Sequence, residues 1–261
     1  MSGVITLLTD FGTADGYVAE VKGVLLSLAP GVQLVDLTHD IPPGDIRAGA
    51  YALGRAVRTF PAGTVHLAVV DPGVGTDRRA LAVEAGGHWL VAPDNGLLSR
   101  VLERQKFRAF ALPVRADAAP TFHGRDVFAP AAAALARGEP CTGPALTDPV
   151  RLPPARLQRR ASAVLGEIVH VDRFGTLVTN IPSDRIAEGA VVRVGAYELA
   201  LHRTFGEVAP GDPVAFVGSG GTVEVAVRDG RADVVLGASL GTEVGATARP
   251  PRPPRESIPE A

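Results

Sequence analysis

The sequence predicts an α/β N-terminal domain with a largely parallel sheet, followed by a small C-terminal all-β barrel domain. Three observations carry this reading. Strand and helix patterns alternate from Val4 to Arg137, which argues for a sheet covered on both faces. Residues 138–160 then hold Pro140, Pro144, Pro149, Pro153 and Pro154 with no apolar period, as a linker does. Beyond them come short apolar runs separated by Gly-rich turns, the pattern of a small barrel or sandwich. The expected divisions are an N-terminal domain at 1–140, a linker at 141–162, a barrel at 163–248 and a disordered Pro-rich tail at 249–261.

Val4 to Leu8 is an apolar run that ends in Thr9-Asp10-Phe11-Gly12, a strand entering a turn. Tyr17, Val18, Val21, Leu25 and Leu28 recur at helical spacing, and Pro30-Gly31 stops that helix. Val32 to Leu37 is the second strand. Residues 45–60 read as a helix with Ala48, Ala52, Leu53, Ala56 and Val57 on one side. Thr64 to Val70 is the third strand, with Ala80 to Glu84 and His88 to Ala92 as the fourth and fifth. Asn95 to Gln105 and Val127 to Arg137 read as helices. In the second half the expected strands are Val164 to Val171, Leu177 to Ile181, Ala190 to Val194, Tyr197 to Leu201, Pro213 to Val217, Val223 to Val227 and Ala232 to Leu236.

Composition narrows the function classes. Hydrophobic residues make up 46% and charged residues 21%, ordinary for a cored globular chain. A net charge of −2 gives no global attraction to nucleic acid or to anionic membranes. No apolar run reaches membrane-spanning length, and Met1-Ser2-Gly3-Val4 lacks the basic region of a signal peptide. The single Cys141 makes no internal disulfide and is a poor metal anchor, so a reducing cytoplasm is expected. Histidines at 39, 66, 88, 123, 170 and 202 form no zinc-like pair, and no metal is expected. Phosphate-binding glycine loops, HExxH and a GxSxG nucleophile elbow are absent from the sequence.

In parallel sheets, ligands bind beyond the carboxyl ends of the strands. Asp10, Asp71 and Asp94 follow the first, third and fifth strands there. Asp10 suits a ribose diol. It also stands where Mg-dependent phosphatases place an acid, although the second acid of such enzymes is replaced by Gly12. Asp71 opens a tight Pro72-Gly73-Val74-Gly75 loop, and Arg78 lies seven residues on, within reach of its carboxylate. His123 lies just before a helix. These three supply a carboxylate, a guanidinium and an imidazole, enough to hold and deprotonate a water. Asn95-Gly96, Asp172-Arg173-Phe174-Gly175-Thr176 and Gly218-Ser219-Gly220-Gly221 read equally as turns or as sites offering amides to a ligand.

Taken in order, the motifs Thr9 to Gly12, Val69 to Arg79, Ala92 to Gly96, Phe122 to Pro130, Asp172 to Ile181 and Gly218 to Val227 resemble the S-adenosylmethionine hydroxide adenosyltransferase family. That family is related to fluorinating and chlorinating enzymes that attack the same substrate with halide. The resemblance spans residues 4–245. It implies a homotrimer whose sites are shared between the N-terminal domain of one subunit and the C-terminal domain of its neighbour. It also implies hydrolysis of S-adenosyl-L-methionine to adenosine and L-methionine, with no cofactor. Its water-activating set falls on Asp71, Arg78 and His123, and its ribose-binding aspartate on Asp10. Asp172 and Ser219 fall near the methionine moiety and Phe174 near the adenine; Phe11, Asp94, Asn95 and Val227 complete the candidate substrate-binding set.

The halogenating relatives have tyrosine where this chain has Asp71 and His123. Thr176 stands where many relatives carry asparagine, which bears on base selectivity. The chemistry suits the residues on its own terms. A sulfonium leaves as a neutral thioether and needs no acid, so a positioned water and a base suffice. Two other readings stay open: a halide-dependent adenosyltransferase, and a non-catalytic nucleoside-binding protein.

Overall fold

Residues 3–248 are described in the computed structural model, and the expected disordered tail at 249–261 lies outside them. The chain divides into two units between Pro153 and Pro154, inside the segment read as a linker. The first unit runs β1 (Val4–Thr9), α1 (Tyr17–Leu28), β2 (Gln33–Thr38), α2 (Ile46–Ala56), β3 (Val65–Val69), β4 (Ala80–Ala85), β5 (His88–Pro93), α3 (Ser99–Leu102), β6 (Phe107–Leu112), α4 (Ala129–Ala136) and β7 (Ala145–Leu146). Its sheet has the order β2-β1-β3-β5-β4-β6-β7.

Pairing is parallel from β2 through β1 and β3 to β5, and antiparallel from β5 outward. The change comes at Gly86-Gly87, whose two-residue connection between β4 and β5 allows only a hairpin. The interior strand β3 is buried along its whole length, His66 included within its otherwise apolar run. Apolar clusters lie on both faces. Val21 and Leu25 of α1 pack with Phe128 and α4 on one, and Leu53 of α2 with Leu97 and Val101 on the other.

Three local readings are corrected here. Asn95 to Gln105 is helical only at Ser99–Leu102, because Asn95 Oδ1 accepts from the Leu97 amide and takes up the first turn. Phe107–Leu112, not expected as a strand, pairs along β4. Within the Pro-rich segment, Val150 N donates to Asp94 Oδ1 and Leu152 N to Ser99 Oγ, so its first part is fastened to the N-terminal unit.

The second unit contains β8 (Gln158–Arg160), β9 (Ala163–Val171), β10 (Leu177–Pro182), β11 (Val191–Val194), β12 (Tyr197–His202), β13 (Pro213–Val217), β14 (Thr222–Val227), α5 (Ala232–Val235) and β15 (Glu243–Thr247). Seven of these strands form a closed barrel. The order β10-β14-β13-β12-β11-β15-β9 is closed by the pairing of β9 with β10, and β8 extends β9 outside the ring. Alternate residues fill the interior, among them Val164, Ile168, Leu177, Val192, Val223 and Val225. Ala232 to Leu236, expected as a strand, is helical at Ala232–Val235; a short apolar run alone does not separate the two. Among the described residues no helix is long and apolar enough to cross a membrane.

One buried network has a consequence for acid stability. His66 on β3 is fully buried, with Nδ1 2.7 Å from Thr6 Oγ1 and Nε2 3.3 Å from His88 Nδ1. Burial first, and the neighbouring His88 second, push the His66 pKa down to about 3. Both folded and unfolded chains are neutral at His66 above pH 6.5, so its contribution is complete there. Between pH 6.5 and 3 only the unfolded chain takes up the proton, and stability falls by about 1.4 kcal/mol per pH unit for one proton. Urea unfolding from pH 7 to 4 should include this slope, and His66→Gln should make the dependence shallower, with the lowered His88 and His123 still contributing in the same direction. An equal slope in the variant would move the effect to other groups.

Candidate active site

The edge of the sheet formed by the carboxyl ends of β1, β3 and β5 places Asp10, Asp71 and Asp94 on one side of the first unit. Asp71 follows the buried end of β3 and meets Arg78 across the Pro72–Asp77 loop. Arg78 Nε donates to both Asp71 oxygens at 3.0 Å, and Arg78 Nη2 also bonds Oδ2. The same Nη2 lies 2.9 Å from His123 Nδ1. A guanidinium has no acceptor, so His123 Nδ1 must accept, and in the neutral ring the proton sits on Nε2. Burial, reinforced by the Arg78 cation, lowers the His123 pKa and favours that neutral ring, with Asp71 and Asp126 opposing. Arg78 stacks its guanidinium 5.2 Å over the buried Phe128 ring. Its Nη1 is buried and has no acceptor among the described residues.

The backbone explains why these side chains meet. Gly75 has φ +77°, and a Cβ there would lie 2.5 Å from the Pro120 carbonyl oxygen, so only glycine lets the two loops close. His123 precedes a π-helix at Gly124–Phe128, which leads directly into α4. Asp126 takes two bonds from Arg125 and one from the Ala119 amide, tying that helix to the loop before it. Arg78 and His123 line a cleft of about 400 Å³ together with Thr76, Val114, Ala118 and Pro120.

Asp10 Oδ2 accepts from the Gly44 amide at 2.8 Å. Phe11 lies beside it in an edge-to-face cluster with Tyr17 and Phe122, at 6.3 and 5.9 Å between centroids. Asp94 and Asn95 are placed differently from the expectation. The Asp94 side chain is 1% exposed and both its oxygens take protein donors, from Arg79 Nε and Val150 N. Asn95 Nδ2 donates to the Val70 carbonyl and its Oδ1 accepts from Leu97 N. These two hold the loops behind Asp71 in place. Among the described residues, no group of three or more His, Cys, Asp or Glu side chains is placed to hold a metal ion.

Residues 5–143 match the model of the SAM hydroxide adenosyltransferase N-terminal domain, and residues 166–245 that of its C-terminal domain. The chain belongs to this family. It is 47% identical to a Thermus thermophilus protein named (R)-S-adenosyl-L-methionine hydrolase, over 92% of this chain and 98% of the relative. It is 32% identical to a fluorinase of an Actinoplanes species, over 85% and 90%. A solved structure from Thermotoga maritima superposes with a TM-score of 0.86 at 34% identity, over 93% of this chain and 99% of the other.

The remaining expected SAM hydroxide adenosyltransferase residues lie on the barrel unit. Asp172 Oδ1 accepts from the Phe174 and Thr176 amides at 2.9 and 2.8 Å and so shapes the β9–β10 turn. That turn pushes Phe174 outward to 75% exposure, an unusual position for a phenylalanine, while Thr176 is buried. Arg231 bonds the Arg173 carbonyl and Asp233, bracing the turn from α5. Ser219 sits in the tight turn closed by Gly221 N to the Gly218 carbonyl. Val227, expected near substrate, is 5% exposed in the barrel core, where its apolar side chain belongs. Sequence reading passed over Phe122, Asp126, Arg79 and His39. Phe122 and Asp126 flank His123 in the same motif, and His39 lies in Thr38-His39-Asp40 after β2, where a site-edge loop was the available signal.

Proposed function

We propose that this chain hydrolyses S-adenosyl-L-methionine to adenosine and L-methionine, without a metal or other cofactor. The observation that carries the reading is Asp71 clamped by Arg78, whose second nitrogen fixes the His123 tautomer. A water beside Asp71 attacks the ribose C5′ in line with sulfur. The new C5′–O bond forms as the C5′–S bond breaks, the electron pair neutralises the sulfonium, and Asp71 takes the water proton. The clamp holds one carboxylate face still, and His123 Nε2–H is the donor left to fix the water oxygen. Asp10 receives the ribose hydroxyls, and Phe174, Asp172 and Ser219 receive the adenine and methionine parts. A carboxylate at the attack point accepts a proton but repels a halide, which favours water over chloride as nucleophile.

Incubation with S-adenosyl-L-methionine in ¹⁸O-water, with chloride and with chelator present, tests this. Adenosine labelled at the 5′-oxygen is expected at an undiminished rate. Unlabelled adenosine, 5′-chloro-5′-deoxyadenosine, or activity restored only by Mg²⁺ would each refute it.

We further propose a cytoplasmic homotrimer in which each site joins the N-terminal unit of one subunit to the barrel of the next. Mixing inactive Asp71→Asn protein with an inactive Ser219→Trp variant should then restore part of the activity once subunits exchange. No recovery after proven exchange would place the whole site within one chain.

A further inference from the structure

We propose that His39 is a positioning residue for the nucleoside half of the substrate, acting through the loop that carries Asp10 and Phe11. The proposal rests on the ribose role given to Asp10 above. His39 lies just after β2, beside β1, and is 5% exposed. It grips the Thr9–Gly12 segment at both ends. Its ring Nδ1 lies 2.8 Å from Thr9 Oγ1, and its backbone carbonyl accepts from Gly12 N at 2.8 Å. Thr9, itself 1% exposed, uses the same hydroxyl oxygen to accept the Phe11 amide at 3.3 Å. The three residues that flank Asp10 in this segment, Thr9, Phe11 and Gly12, are therefore bonded to His39 directly or through one oxygen.

Behind the ring, His39 Nε2 lies 3.1 Å from Asp36 Oδ1 without a hydrogen bond between them, and Lys22 of α1 holds the other oxygen of Asp36 at 2.6 Å. The same stretch of chain supplies the Gly44 amide that bonds Asp10 Oδ2. The Gly44 amide thus holds one Asp10 oxygen, while His39 holds the residues on either side of Asp10. His39 meets no part of the Asp71–Arg78–His123 cluster through any of these bonds, so its effect belongs to binding and not to the chemical step.

The test compares wild type with His39→Ala, His39→Asn and Thr9→Val, by adenosine binding in a calorimeter and by steady-state turnover of S-adenosyl-L-methionine. Adenosine isolates the nucleoside contacts from the reaction. His39→Ala should weaken adenosine binding and raise KM by about 10-fold, the scale of one lost buried hydrogen bond, with kcat within about threefold. His39→Asn, whose amide occupies the place of Nδ1, should recover most of the loss. Thr9→Val keeps the shape and removes only the hydroxyl; it should match His39→Ala, and it decides the question alone if His39→Ala does not fold. Unchanged adenosine affinity in folded variants, or a fall in kcat at unchanged KM, overturns the proposal. A wild-type protein that turns over no S-adenosyl-L-methionine overturns instead the function on which it rests.

Discussion

Asp71→Asn is expected to lower turnover of S-adenosyl-L-methionine by about two to four orders of magnitude, the range lost with general-base assistance. Asparagine fills the same volume but carries no charge to take the proton. It also turns an amide donor toward Arg78, which offers only donors to this position. Adenosine affinity should change far less, because Asp10 and Phe11 are held by other bonds. Single-turnover rates and adenosine binding measured on the same preparation separate the two effects. Near-full turnover in a folded Asp71→Asn protein would reduce Asp71 to a turn residue.

Arg78→Ala should unfold more easily than wild type by about 3–5 kcal/mol, in addition to losing activity, because it strands a buried carboxylate. The two side chains are only 10% and 5% exposed, which separates this pair from the surface ion pairs of the chain, such as Arg115–Asp117. Arg78→Lys keeps the charge but cannot span both Asp71 oxygens and His123 with a planar fork, so it should restore stability more than turnover. The double change Asp71→Asn with Arg78→Met should be less destabilised than Arg78→Ala alone, since no unpaired charge remains. Urea unfolding of the four proteins checks this order. A loss below about 1 kcal/mol for Arg78→Ala would mark the pair as surface-like.

Much of this arrangement is legible in the residues. The strand runs and the acids after them place Asp10 and Asp71 at one sheet edge, because strand periodicity and the edge rule for parallel sheets act locally. The Arg78 contact is legible too, since seven residues holding Pro72 and two glycines bring the chain back on itself. What stays hidden depends on partners far along the chain. Asp94 looks like Asp10 in sequence, yet Arg79 and the Val150 amide draw its side chain inward. Val227 and Val217 look alike as strand valines, but the barrel buries one and exposes the other. His39 carries no motif of its own; its role comes from the pairing of β1 with β2, which no short window contains.

The π-helix after His123 has an evolutionary and an engineering consequence. A five-residue turn in place of an α-turn amounts to one extra residue inserted where the helix begins. Each α-helical residue turns the chain by about 100°, so removing that insertion would swing everything before it around the axis relative to α4. His123 would then leave Arg78 while the helix itself stayed intact. Homologues that differ by a one-residue gap in this stretch would therefore share the fold yet point a different side chain at the attack position.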